Sequence, residues 1–350
     1  MPPSTFTPLQ RVLTTLSQQE PDRVPLFLLL TMHGAQELGL SLKSYFSKAE
    51  NVVEGQLTLQ KKYQHDNLYG FFYAALEVEA FGGETIFVED GPPNAGEPII
   101  TRPEDILALE PPRVKDSPCL HKVLQAQQML KEKTGDTIPI IGVVMSPFSL
   151  PVMQMGFASY LDLIYERPDL FERLMKVNQT FCVEWANAQL TAGATAICYF
   201  DPVSSSTIVT REQYLRTGYA AACQTLKHIQ GPTATHFASG RCLPIVQDVA
   251  QTGTAIIGVS ADEDLTELKR AAQGRLSLLG NLNGIQMRRW SAADAEAAVK
   301  QAIAAAGRGG GFILSDNHGE IPYQVPEATL MAVVEAVHRW GKYPLDWLDA

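Results

Sequence analysis

The chain has 350 residues, 45 % of them apolar, which is enough for one large core or two smaller ones. Its 28 basic and 38 acidic residues give a net charge of −10 without any basic block, and this excludes the concentrated positive field that a nucleic-acid surface needs. The five cysteines (Cys119, Cys182, Cys198, Cys223, Cys242) are scattered, odd in number and without a CxxC pair, and read as reduced thiols of a cytoplasmic protein.

The first segment, MPPSTFTPLQRVLTTL, lacks a basic stretch followed by an apolar run, so no secretory leader is expected. The strongest apolar run, VPLFLLL (24–30), falls well short of the ~20 residues of a membrane span. It predicts a core strand and no membrane association. Seven more short runs bounded by Gly, Pro or polar residues follow: DNLYGFF (66–72), IPIIGVV (138–144), ATAICYF (194–200), TATHFAS (233–239), AIIGVS (255–260), LSLLGNL (276–282) and GFILSDN (311–317). Segments with helical spacing lie between them, among them 159–194, 211–229, 262–273 and 291–309. Such alternation predicts one α/β domain over residues 1–350, a (β/α)₈ barrel of the TIM type. The Pro-rich stretch 84–112 carries only weak strand signals and predicts an excursion from the barrel. The run GRGGG (307–311) lacks the Lys-Ser/Thr of a phosphate loop and reads as a helix end and turn.

Catalytic groups of such barrels sit where strands end. The strand ends carry Thr31, Met32 and His33, Phe72 and Tyr73, Met145 and Ser146, Phe200 and Asp201, His236, Ser260 and Asp262, Asn281, and Asp316, Asn317 and His318. Each has an ordinary structural alternative: a histidine bonded under a loop, an aspartate capping the turn before SSST, aromatic rings closing the barrel top. Two histidines with an aspartate between them favour a site, and the aromatic residues suit an apolar or methyl-bearing substrate.

The order EVEAFGG (77–83), IPIIGVVMSPFSL (138–150), EWANAQLTAGATAI (184–197), FDPVSSSTIVTREQY (200–214), THF (235–237), GVSADEDL (258–265), LLGNLNG (278–284) and HGEIP (318–322) resembles the uroporphyrinogen decarboxylase superfamily. Within it, the chain is most similar to the corrinoid-dependent methyltransferases of the methylcobamide:coenzyme M type. The resemblance covers almost the whole chain and implies a (β/α)₈ barrel. The decarboxylase branch has an arginine-rich motif after strand one, whereas LTMHGAQELG (30–39) has none, and its catalytic aspartate aligns with Tyr73. In the methyltransferase branch the resemblance implies zinc held by a histidine and two cysteines. His236 matches the first ligand, Ala238 and His318 stand at the cysteine positions, and Cys242 is a substitute for the former.

The resemblance therefore implies a methyltransferase moving a methyl group between a small methyl donor or thiol and a cobamide. His236, His318 and Cys242 are the metal candidates; Asp201, His236 and His318 the catalytic candidates; and His33, Phe72, Tyr73, Ser146, Phe200 and Asn317 the substrate-binding candidates. A zinc held by imidazoles stays more positive than one held by thiolates and is the better Lewis acid. The methylcobamide is expected from a separate corrinoid-binding protein, because no DxHxxG-type ligand sequence is present and DNHGE (316–320) has the wrong spacing. The alternatives are a decarboxylase of tetrapyrrole metabolism, a metal-free methyltransferase using His236 and His318 as acid and base, and a catalytically silent binding barrel.

Overall fold

The apolar runs pair with one another in chain order because a helix-containing segment follows each and carries the chain back to the start of the next strand. The structure is a computed structural model that describes residues 6–349. Its strands are β1 (Leu68–Tyr69), β2 (Thr85–Ile86), β3 (Asn94–Ala95), β4 (Ile140–Met145), β5 (Ala196–Phe200), β6 (Thr233–His236), β7 (Ile256–Gly258), β8 (Ser277–Leu282) and β9 (Phe312–Asp316). Seven of them form a single parallel sheet in the order β1-β4-β5-β6-β7-β8-β9, curled as in a TIM-type barrel. Strands β2 and β3 form a separate antiparallel hairpin inside the 84–112 stretch, and the 307–311 run is the turn between the helix Ala292–Ala306 and β9.

The stretch 24–30 was expected as a strand, and here the structure differs. It lies between β9 and β1 without forming a regular ladder: Leu314 N–H donates to Pro25 O, Phe27 N–H to Leu314 O, and Asp66 N–H to Leu26 O. The physical reason lies in its partners. Pro25 has no N–H, and the amides of Leu26 and Leu28 donate to the side chains of Asp66 (2.8 Å) and Asn67 (3.1 Å) rather than to backbone carbonyls. Asp66 is further fixed by the Arg11 and Arg23 guanidiniums, both at 2.6 Å. Side chains thus close the barrel where a ladder would otherwise run.

Alternation along the staves separates two cores. Phe27, Leu29, Tyr69, Val143, Cys198, Ala234, Ile256, Leu279 and Ile313 point inward and pack into one cluster, with Val12 of the N-terminal helix Pro8–Leu16 against them. Leu26, Leu28, Ile257, Leu278, Phe312 and Leu314 point outward to the helices.

One buried carboxyl sits behind the sheet. Glu77, in the short helix Ala75–Ala80, accepts the Met145 N–H at 2.9 Å, and burial pushes its pKa up to about 8. Between its ordinary value of 4.5 and about 8 the folded chain keeps a proton that the unfolded chain has released, so this group lowers stability as pH rises. Below 6.5 the buried His33, His65 and His236, pushed down to about 4, act in the opposite sense. The melting temperature is therefore expected to fall from pH 6.5 to 8, with a shallower slope in Glu77→Gln. Parallel slopes in scanning calorimetry would contradict this.

Candidate active site

At the C-terminal ends of the barrel strands lies a cavity of about 350 Å³. Its inner wall is Tyr69 of β1, Val143 of β4 and Phe200 of β5; Met32 and Phe71 complete the apolar side. The outer wall comes from the segment after β9, with His318, Gly319, Glu320, Tyr323 and Gln324. Ile285 and Arg288, after β8, stand at the rim. The hairpin of the excursion reaches the same opening: Gly91 and Pro92 line the cavity, and the Gln324 side-chain amide donates to Asp90 O. Residues 84–112 thus lie beside the barrel and also help to shape its mouth.

The polar end of the cavity is built on a tight return of the chain after β9. Asp316 Oδ2 accepts the N–H groups of His318 (2.7 Å) and Gly319 (3.0 Å), and Tyr69 donates its hydroxyl to Gly319 O at 2.8 Å. Gly319 adopts φ +82°, and a Cβ there would stand 2.7 Å from the Phe200 ring. This return delivers Glu320 to the cavity wall, where Thr31 Oγ1 donates to it. Burial, then the nearby Asp316 carboxylate, push Glu320 up to about 8, and burial pushes Asp316 up to about 6. At neutral pH Glu320 is a carboxylic acid facing a mostly apolar cavity.

His236 ends β6 behind this wall. Its ring stacks on Phe200 with centroids 5.5 Å apart, and burial, then the nearby His318, hold its pKa down at about 4. Ala238, at φ +51°, turns its N–H onto His236 Nδ1 at 3.0 Å. Nδ1 is therefore the accepting nitrogen and Nε2 carries the hydrogen of the neutral ring.

That tautomer decides whether zinc suits the donor set. A metal ligand needs a free lone pair on one nitrogen while the other donates its hydrogen, and His236 shows the reverse: its lone pair faces a backbone N–H. Cys242, expected as a substitute ligand, is fully buried in the cluster between sheet and helices beside Ile245, Val246 and Val249, and burial pushes its thiol well up. Its position at the N-terminus of a short helical turn, with its N–H on Glu263 at 2.8 Å, holds it there. Among the described residues no three His, Cys, Asp or Glu side chains converge to hold a metal ion. The expected set His236, His318 and Cys242 does not fit the metal.

The other expected residues are divided. Phe200 and His318 line the cavity; His33, Phe72, Tyr73, Ser146, Asp201, His236 and Asn317 do not. Asp201 is buried with Oδ1 accepting Ser146 Oγ (2.5 Å) and Ser149 Oγ (2.7 Å), a clasp between the ends of β4 and β5. Asn317 Oδ1 accepts the Gly284 N–H at 3.3 Å. Phe72 packs against Phe46, and Tyr73 bonds Glu79. His33 faces a separate pocket. At two strand ends the neighbouring residue, Met32 or Phe71, takes the cavity position. Met32 was among the residues read at the end of the first run, whereas Phe71, Glu320 and Arg288 did not stand out in the sequence, although Glu320 lies in the HGEIP stretch. Phe71→Leu is accordingly expected to raise the KM of a bound small molecule about tenfold, and Phe72→Leu to leave KM unchanged while costing about 1 kcal/mol of stability. Steady-state kinetics with thermal melts separates the two.

Similarity to known proteins agrees with this architecture. A methyltransferase from Methanosarcina mazei superimposes with a TM-score of 0.84 at 20% identity, covering 95% of this chain and 99% of that one. A uroporphyrinogen decarboxylase of Ralstonia pickettii is 25% identical over 285 residues, 75% of either chain. The methylcobamide:CoM methyltransferase MtaA of Methanosarcina barkeri is 27% identical over 164 residues, 46% of this chain and 48% of that protein. No described helix is long and apolar enough to cross a membrane. The family model for uroporphyrinogen decarboxylase (URO-D) matches residues 7–340, and the chain belongs to that family of enzymes.

Proposed function

We propose that the protein is a corrinoid-protein-dependent methyltransferase that takes a methyl group from a small donor bound in the 350 Å³ cavity. The observation that carries this reading is the character of the wall: Met32, Phe71, Val143, Phe200 and Tyr323 form an apolar, aromatic enclosure in which Arg288 is the one cation among the described lining residues. A tetrapyrrole with its many carboxylates needs several cations, and a lone rim guanidinium does not supply them. A methyl-bearing group gains from such ring faces by burial and dispersion.

The cobamide, carried by a partner protein, supplies the reduced cobalt that accepts the methyl group. This chain's residues do the rest. The aromatic walls hold the donor with its methyl toward the mouth and exclude water. As the bond from the methyl carbon to its heteroatom breaks, the electron pair stays on the heteroatom, which takes a proton from the neutral Glu320. Thr31 fixes the Glu320 carboxyl, and His236 acts as a positioning residue by bracing Phe200. Asp201, a catalytic candidate by sequence, takes no part in this step, because it lies outside the cavity wall and accepts from two serines. The exposed side chain of Ile285 stands at the rim of the cavity and suits a docking partner.

The test uses the full chain with chemically reduced cobalamin and, separately, a panel of methoxy, methylamino and methylthio compounds, followed by the visible spectrum of the corrinoid. Donor-dependent methylation of cobalt supports the reading. Release of carbon dioxide from uroporphyrinogen, with no methylation from any donor, would replace it with the decarboxylase reading.

A further inference from the structure

The cavity at the barrel mouth carries one charge that its apolar walls leave unmatched. Among its described lining residues, Tyr69, Arg288, His318, Glu320 and Tyr323 bear titratable groups. Burial pushes both tyrosines up and holds His318 down, and Glu320 keeps its proton below about 8, so at neutral pH these four are uncharged. The formal charge of the wall is therefore the guanidinium of Arg288.

Arg288 follows the short helix Gly284–Met287, just after β8. Its Nε donates to Ile285 O at 3.1 Å, which ties the side chain back to the preceding turn at the rim. Among the described residues no carboxylate pairs with it and no acceptor bonds its terminal nitrogens. A guanidinium edge left open beside an apolar wall matches a carboxylate, which can take two parallel N–H···O bonds from it. One cation matches one carboxylate, because a second anionic group would enter the aromatic enclosure without a partner. The volume of about 350 Å³ is at the lower end of the roughly 300–1,000 Å³ of ligand pockets and suits a body of about one ring.

We infer that the donor taken by this cavity is a small monocarboxylate, with an apolar, ring-sized body against Phe71 and Phe200 and its carboxylate held by Arg288 at the rim. This substrate class rests on reading the cavity as the donor site, and it adds an orientation to that reading. The methyl group also faces the mouth, so the carboxylate and the methyl-bearing heteroatom lie on one side of the body. Glu320, as a neutral acid, neither repels the carboxylate nor competes for Arg288.

Calorimetric titration of the full chain at neutral pH and low salt, with 3-methoxybenzoate and with its neutral amide, 3-methoxybenzamide, tests this. No corrinoid is present, so the result reads the charge of the donor independently of methyl transfer. The acid is expected to bind about tenfold more tightly than the amide, the scale of a charge-assisted pair. Arg288→Gln should bring the acid down to the level of the amide without changing the amide's own affinity, and Arg288→Lys, which keeps the charge, should retain part of the preference. The exposed position of Arg288 makes loss of folding no obstacle. Equal affinity of the wild type for acid and amide would overturn the inference. A preference that survives Arg288→Gln intact, or the absence of saturable binding of the acid, would overturn it as well.

Discussion

Replacing Glu320 with glutamine is expected to lower donor-dependent methyl transfer by ~10²-fold or more, the scale on which a positioned proton donor acts. Glutamine keeps the shape and can still accept from Thr31, so the loss falls on kcat and leaves the KM of the donor nearly unchanged. The sign of the pH dependence follows from the same group. Glu320 holds its proton below about 8 and releases it above, so the wild-type rate should fall as pH rises through that value, and the variant's low rate should not. Initial rates of corrinoid methylation between pH 6.5 and 9 decide the matter. A variant with wild-type kcat, or one that retains the alkaline fall, would remove Glu320 from the chemistry while leaving methyl transfer itself intact.

A single methyl group added at Gly258 is expected to destabilise the protein by roughly 3 kcal/mol, the upper range for overpacking a full core. Gly258 of β7 lies directly beside His236 of β6 in the parallel register. A Cβ at Gly258 would stand 2.3 Å from His236 Cδ2 and 2.6 Å from Cγ. The ring is confined on two sides: Phe200 stacks on it, and the Ala238 N–H holds Nδ1. Gly258→Ala should therefore lower the denaturation midpoint and disturb Phe200. Combining it with His236→Ala should recover part of the loss, because the second change removes the atoms that the first one meets. Strict additivity of the two changes in denaturant titrations would show that the clash is relieved elsewhere.

Both predictions depend on groups that a linear reading weighs differently. Alternation of short apolar runs with helical segments is a local property, and it led to the barrel and to the family because hydrophobic periodicity survives whatever the details of packing. Phe200 was also legible as a cavity residue, since it ends β5, where the direction of successive side chains is set by a period of two.

That rule ends where the strand ends. Met32 already has a helical backbone before the helix His33–Leu38, and β1 stops at Tyr69, so beyond those points counting alternate residues no longer tells which side chain enters the cavity. Met32 and Phe71 do so, while His33, Phe72 and Tyr73 turn away. The stretch 24–30 reads as a strand, but Pro25 and the side chains of Asp66 and Asn67 decide how its amides are satisfied. Cys242 lies six residues after His236, yet the turn that begins there buries its thiol in the outer core. Sequence alone therefore determined the architecture, the family and the identities of the strand-end residues. Only the tertiary structure decided which of them share a cavity, which nitrogen of His236 is free, and that Glu320 stays protonated. Those outcomes depend on burial and on contacts between segments distant in the chain: Thr31 meeting Glu320, Asp316 fixing the Gly319 return, and Ala238 turning back onto the ring.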